Sequence, residues 1–302
     1  MNPDVLFFFE TVISGLMAGV MYALVALGFV LIFKASGVFN FAQGVLALFA
    51  ALTLTGVMEK FGLPAWAGII VTILVMIAVA WLIERLVLQH LVNQEPIILF
   101  MATIGLAYVI EGTGDILWGS NVKVLDIGLP QGASDFLLDN YNLYVEKLEI
   151  VAAVTAAILV AVLAVFFQKT RIGRALRAVA DDHQAALSVG ISLRTIWVVV
   201  WSVAGIVALV AGIMWGTKSG VQFSLSLIAL KALPVLILGG FTSIPGAIVG
   251  GLIIGVGEKI AEIYAGPIIG GAIENWFAYM LALAFLLFRP QGLFGEKIIE
   301  RV

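Results

Sequence analysis

The sequence predicts an all-α polytopic membrane protein with eight to ten transmembrane helices, some of them broken or re-entrant. Three observations carry this. Of 302 residues, 62% are hydrophobic and 12% charged, with a mean hydropathy of +1.14, whereas a water-soluble domain carries about a quarter charged residues. The apolar residues fall in long runs, and a bilayer span needs about 20 of them. Basic residues gather in one interior loop: five of the sixteen Lys and Arg (Lys169, Arg171, Arg174, Arg177 and Arg194) stand within or beside residues 168–195.

Nine apolar runs follow one another, at residues 5–33, 38–58, 64–88, 96–118, 148–167, 196–215, 225–240, 246–263 and 272–288. Pro64 and Pro96 open the third and fourth, where a helix tolerates proline. The seventh run is short and holds Lys231 and Pro234, so it is expected to be tilted, broken or re-entrant. The N-terminal MNPDVLFFFE has neither a basic stretch nor a small-residue cleavage site, so the first span itself is expected to direct insertion. The whole chain, 1–302, reads as one transmembrane domain.

Orientation follows from charge, because basic loops stay on the cytoplasmic side. The loop at 168–195 is therefore cytoplasmic. The loop at 119–147, with Asp126, Asp135, Asp139 and Glu146 against Lys123 and Lys147, is external. Counting from these loops puts the N-terminus outside and the tail with Arg289, Lys297 and Arg301 inside.

Small-residue pairs are dense. Gly15 and Gly19, Gly246 and Gly250, Gly251 and Gly255, and Gly266 and Gly270 each make G-x-x-x-G, the spacing that lets helix backbones approach in lipid. There is also an internal echo. Residues 37–44 (GVFNFAQG) and 239–246 (GGFTSIPG) share Gly, Phe and Gly at one constant offset, and each separates two apolar runs. Repeated halves broken at matching places are a transporter feature; the echo predicts an internal inverted repeat.

The breaks supply the candidate substrate path. Asn40, Thr242 and Ser243 are natural N-caps, and a helix N-terminus inside a membrane presents free N–H groups and partial positive charge. Gln43 adds a donor and an acceptor, while Phe39 and Phe41 flank Asn40 as a hydrophobic constriction. The plainer reading is that these residues only cap helices. In the basic loop, Ala175, Ala178, Ala185, Ala186 and Leu187 give a small apolar face interrupted by Asp182, and Gly190 reads as a helix end. Such a surface helix either docks a soluble partner or merely sets topology.

Other chemistries are excluded. Net charge is −3, against nucleic acid as a partner. There is no cysteine, and the two histidines, His90 and His183, lie far apart, so no metal site is expected. Of the charges near apolar runs, Glu111 and Lys231 are expected to sit deepest, with no string of carboxylates for an ion relay. Residues 212–219 come nearest to a P-loop but place Thr217 where glycine must precede the lysine. No nucleophile has a paired base, so the chain is not expected to be an enzyme.

Taken in order, several motifs resemble the permease subunits of branched-chain amino acid ABC importers, specifically the shorter member of the permease pair. They are Gly15-Leu-Met-Ala-Gly19, Tyr22 through Gly28, Asn40-Phe-Ala-Gln-Gly44, Ile83-Glu84-Arg85, Gly173-Arg174-Ala175 with Gly190-Ile191, Lys231-Ala232, Gly239-Gly240, Ser243 through Ala247, Gly250-Gly251 and Arg289-Pro-Gln-Gly292. The resemblance implies a bacterial inner-membrane subunit working with a second homologous permease, two ABC ATPase subunits and a periplasmic substrate-binding protein. It implies no cofactor of the chain's own, ATP being bound by the partners. The segment 180–191 would be the coupling helix, with Arg174, Arg177, Asp181, Ala185, Ala186 and Gly190 as its coupling residues. The family often has Asn-Phe-Ala-His-Gly followed by Glu; here Gln43 and Val45 stand in place of His and Glu. The implied cargo is branched-chain or other neutral amino acids, with urea, amides or small organic or aromatic acids as alternatives. A stand-alone ion-coupled carrier is the competing reading.

Overall fold

The computed structural model describes residues 3–295 apart from Asn93, Asp182 and Val189. In chain order the helices are α1 (Pro3–Ser36), α2 (Gln43–Phe61), α3 (Ala65–Leu86), α4 (Pro96–Trp118), α5 (Asp135–Tyr141), α6 (Lys147–Lys169), α7 (Arg171–Asp181), α8 (His183–Ser188), α9 (Leu193–Ser219), α10 (Ile228–Gly239), α11 (Ile244–Ile260), α12 (Gly266–Ile269) and α13 (Glu274–Phe288). A π turn at Ala261–Ala265 joins α11 to α12. β pairing among the described residues is confined to isolated bridges. All nine apolar runs fall on helices. Among the described residues, seven helical stretches are long and apolar enough to cross a membrane, whereas Phe223–Gly239 and Trp276–Phe288 are shorter. The first of these carries Pro234 inside its helix, where proline removes one backbone hydrogen bond.

The described chain divides into two compact units. One takes α1 up to Ala26, Gly128–Ala157 and the residues from Ala229 on; the other takes Leu27–Ile127 and Ile158–Ile228.

The first unit is organised by glycine. Lipid is as apolar as leucine, so helices associate there by close packing rather than by burial. The two G-x-x-x-G motifs of α1 and α11 face each other. A Cβ on Gly15 would lie 2.6 Å from Val256 Cα, one on Gly19 would run into the Gly251 carbonyl, and one on Gly255 would run into the Gly15 carbonyl. Gly250 approaches α10 in the same way: an added Cβ would lie 2.6 Å from the Val235 carbonyl oxygen. The fourth pair behaves differently: Gly270 is the left-handed end of the short α12, with nothing near its Cβ position. Its spacing marks a turn, not a packing face.

In the second unit α9 is the central rod, packed on α2 and α3. Gly212 abuts the Ala47 carbonyl of α2, and Gly205 lies against Met76 of α3. Side-chain ties sort the helix ends of this unit. Lys60, near the end of α2, donates to the Leu117 carbonyl at 2.8 Å and covers the Trp118 ring. Lys123 pairs with Glu59 and bridges Val221, just beyond α9. The end of α3 meets the start of α9 through Glu84 and Arg194. This alternation agrees with the order of spans inferred from charge.

Gly19→Val or Gly255→Val should force α1 and α11 apart, lowering both the yield in membranes and the melting temperature in detergent. Gly105→Ala should match or slightly exceed the parent, because its Cβ meets nothing within 4 Å and helical Ala exceeds Gly by roughly 0.5–1 kcal/mol.

Candidate functional site

The turn between α1 and α2 is built by local hydrogen bonds. Helix α1 closes with the Gly37 N–H donating to the Phe33 carbonyl at 2.7 Å, and Gly37 takes the left-handed conformation (φ +68°). The Ser36 hydroxyl donates to the Ile32 carbonyl and accepts from the Val38 N–H. Asn40 Oδ1 accepts from the Ala42 N–H at 3.1 Å. Asn40 thus makes an Asx turn ahead of the helix, and the N-cap position of α2 is held by Ala42, which has no side-chain acceptor. The expected capping by Asn40 is corrected: its side chain turns the chain, and the first amide of α2, Gln43 N–H, donates to the Asn40 backbone carbonyl at 3.3 Å.

Thr103 of α4 holds the turn in place, accepting the Phe41 N–H at 3.0 Å and donating to the Phe100 carbonyl at 2.8 Å. No sequence signal marked it, since a lone helical threonine ordinarily bonds its own backbone. Phe39 stacks on Phe29 with centroids 4.8 Å apart, and both Phe39 and Phe41 meet Phe100. The two phenylalanines are thus both placed against Phe100 of α4.

Gln43, the first residue of α2, is fully buried, as is Asn40. Among the described residues neither Oε1 nor Nε2 of Gln43 has a hydrogen-bond partner, and neither does Asn40 Nδ2. The Gln43 amide occupies the space where a Cβ on Gly28 would be, so the glycine of α1 makes room for it. A nearby cavity of about 10 Å³, between Ser36, Val38, Thr103 and Trp197, has room for about one water.

The second break, in the other unit, is satisfied internally. Ser243 is the N-cap of α11, its hydroxyl accepting from the Gly246 N–H at 3.0 Å, while Thr242 makes no cap. The carbonyls at the end of α10 are taken by the C-terminal segment: the Leu293 and Phe294 N–H groups donate to Leu238 and Gly239. Gly292 lies so close that an added Cβ would be 2.8 Å from the Gly240 nitrogen. The left-handed glycine falls at Gly37 in one break and Gly240 in the other, so the two turns differ by one residue from the sequence echo.

The basic loop folds as a hairpin onto α6. Thr170 Oγ1 accepts the Gly173 N–H at 2.9 Å and so caps α7, and a Cβ on Gly173 would strike the Phe166 and Phe167 carbonyls. Leu176 and Val179 are buried, while Arg171, Arg174 and Arg177 are exposed. Ala186 is buried, and Leu187 is 47% exposed. The buried stripe is thus Leu176 and Val179 with Ala186, and Leu187 does not belong to it. Gly190 ends α8 as expected: its N–H donates to the Leu187 carbonyl and the Ile191 N–H to the Ala186 carbonyl, both at 3.0 Å, the double bond pattern of a Schellman end. The side chains of Asp181, Asp182 and Ala185 lie outside the described residues.

Buried charge also falls elsewhere than expected. Glu84 and Glu258 are each 1% exposed, whereas Glu111 and Lys231 are only partly buried. Glu258 accepts from Tyr22 Oη at 2.9 Å and from Lys231 Nζ at 2.9 Å, and Lys231 also donates to the Glu274 carbonyl at 3.1 Å. In the loop before α6, the Lys147 hydrogen bond and charge hold the Asp135 carboxyl below its ordinary range.

Residues 11–289 match the family described as branched-chain amino acid transport system, permease component. The chain belongs to that family. It is 28% identical to the high-affinity branched-chain amino acid transport system permease protein LivH of Salmonella typhimurium, with all of both chains covered. It is 29% identical to the corresponding BraD protein of Pseudomonas aeruginosa over 99% of this chain and all of that one. A probable branched-chain amino acid transport permease of Methanocaldococcus jannaschii is 27% identical over 90% and 88% of the two chains. As a permease component the chain is a transport subunit. Its run 212–219 is helix throughout, with Gly212 placed against α2 and no loop to cradle phosphate.

Because the Gly28 obstacle is the flexible end of a side chain, Gly28→Ala should fold with a lowered melting temperature. Gln43→Ala added to it should recover most of the loss, a coupling read by a double-mutant cycle in detergent.

Proposed function

We propose that this permease carries branched-chain or other neutral amino acids across the bacterial inner membrane as one subunit of an ABC importer. Its partners are a second homologous permease, two ABC ATPases and a periplasmic binding protein. The carrying observation for the site is the pair of buried side-chain amides, Gln43 and Asn40, whose open hydrogen-bonding groups lie at the start of α2. A buried polar group left unpaired costs about 1–3 kcal/mol, so the fold retains a debt that a passing solute relieves. Gln43 has both a donor and an acceptor, suited to the carboxylate and the ammonium of a zwitterion. Phe29, Phe39 and Phe100 give an apolar wall for a branched side chain. The neutral amide also holds cargo without the ion pairing that would slow its release in a low dielectric. The space beside the break is far smaller than an amino acid, so this conformation is closed there and transport requires the helices to move.

Motion is supplied through the basic hairpin, α7 and α8, lying on the cytoplasmic side. Its Leu176–Val179 stripe is seated on the permease while Arg171, Arg174 and Arg177 face outward, toward an acidic groove in the ATPase. Thr242 and Ser243 have the weaker claim to substrate, because Ser243 is already engaged as a cap. The presence of Gln43 where the family often has His favours one second reading, a cargo of urea or simple amides.

Reconstituted with its partners, the importer should show ATP-dependent uptake of leucine, isoleucine or valine. Uptake of urea or acetamide in preference to these would replace the amino-acid reading, and uptake by this chain alone on an ion gradient would replace the importer. Gln43→Leu should lower uptake about 10- to 100-fold, the loss of one charge-assisted hydrogen bond of about 1.5–3 kcal/mol, with no change in ligand affinity of the binding protein. Arg177→Glu or Ala186→Pro should leave the permease folded but separate ATP hydrolysis from uptake, measured as solute moved per ATP.

A further inference from the structure

Glu84 stands in the last turn of α3 with its side chain 1% exposed. A carboxylate buried that deeply needs a compensating charge, and it accepts from Arg194 Nε at 3.1 Å. The neighbouring Arg85 is exposed and reaches along its own helix to Gln89. Arg194 lies in the first turn of α9, directly after the Gly190 end of the basic hairpin and the Ser192 cap. A cation is disfavoured at a helix N-terminus, where the helix dipole is positive, so local helix stability does not account for Arg194. Pairing with Glu84 does. Behind this pair α3 and α9 pack closely, with a Cβ on Gly205 only 3.3 Å from Met76 Cβ, and α9 in turn abuts α2 at Ala47, one turn beyond Gln43.

We propose that the Glu84–Arg194 ion pair is a positioning clamp for transport. It fastens the start of α9 to the end of α3, so that displacement of the hairpin moves both helices as one lever against α2. Without it the hairpin moves α9 alone, and part of the stroke is lost as slippage between α3 and α9. This rests on the proposed docking of an ATPase on the hairpin.

The test uses the complete importer in proteoliposomes and measures ATPase recruitment, hydrolysis and solute moved per ATP. Arg194→Gln and Glu84→Gln should recruit the ATPases at parental levels and hydrolyse ATP, with at least a fivefold fall in solute per ATP. Arg194→Lys should retain more of the ratio than Arg194→Gln. The chain has no native cysteine, so a Glu84→Cys/Arg194→Cys protein can be bridged by a short bis-maleimide, and bridging should restore the ratio. An unchanged ratio in Arg194→Gln, or no recovery on bridging, overturns the clamp. Loss of ATPase recruitment in Arg194→Gln also overturns it, by making Arg194 a docking residue. If the parent importer recruits no ATPase at all, the docking reading itself fails. Should Glu84→Gln not fold, the Arg194 series on the more exposed partner decides alone.

Discussion

A helix interrupted in an apolar medium frees amides and carbonyls that lipid cannot pair, and this constraint shapes both ends of the chain. At residues 240–243 Ser243 caps α11, and the residues after α13 return to the last carbonyls of α10. The close approach there leaves no room for a side chain on Gly292. At residues 37–42 the backbone is also settled, by Gly37, Asn40 and Thr103, but the settlement is made with groups that turn the chain. The amides of Asn40 and Gln43 are left over. Two segments alike in sequence therefore differ in chemistry, one with its cap and end carbonyls paired and one with buried side-chain amide groups left open.

Holding unpaired amides inside a protein requires the surrounding helices to be fixed. In the second unit this is done by a glycine that admits the Gln43 side chain and by the packing of α9 on α2 and α3. In the first unit, backbone-to-backbone contact between α1 and α11 does the comparable work, with contacts that no larger residue could reproduce. Glycine therefore has two uses here: close approach of helices, and space for a functional side chain.

The fold was largely legible because each of its main signals has a single physical cause. Apolar run length located the nine apolar helical stretches, and G-x-x-x-G marked the faces that meet where α1 packs on α11. The failures have causes too. Gly266 and Gly270 share that spacing but end a short helix, since spacing alone does not say which neighbour is present. Asn40 looked like a cap because an Asx turn uses the same side-chain oxygen one step earlier. Leu187 looked buried because the direction of the hairpin stripe is set by the Gly173 turn, which brings Leu176 and Val179 inward. Thr103, Gly28 and the Glu84–Arg194 pair depend on contacts far apart in sequence, and no local pattern reports them.

The distribution of charge bears on how the protein works. Among the described residues Glu84 and Glu258 are each 1% exposed and each already has a cation, Arg194 or Lys231, while Glu149, near the start of α6, is also buried. The pairs fasten two elements at defined points: the start of α9, and the short, proline-bearing α10. Breaking such a pair strands a buried charge, so its geometry is strongly enforced whatever its net contribution to stability. An ion-coupled carrier would need the opposite arrangement, with acids free to load and unload a cation. These two ion pairs fix geometry, and on the proposed path the groups left to meet a solute are neutral amides. A path of that kind gives little driving force of its own, which is why a motor outside the membrane is the consistent source of work.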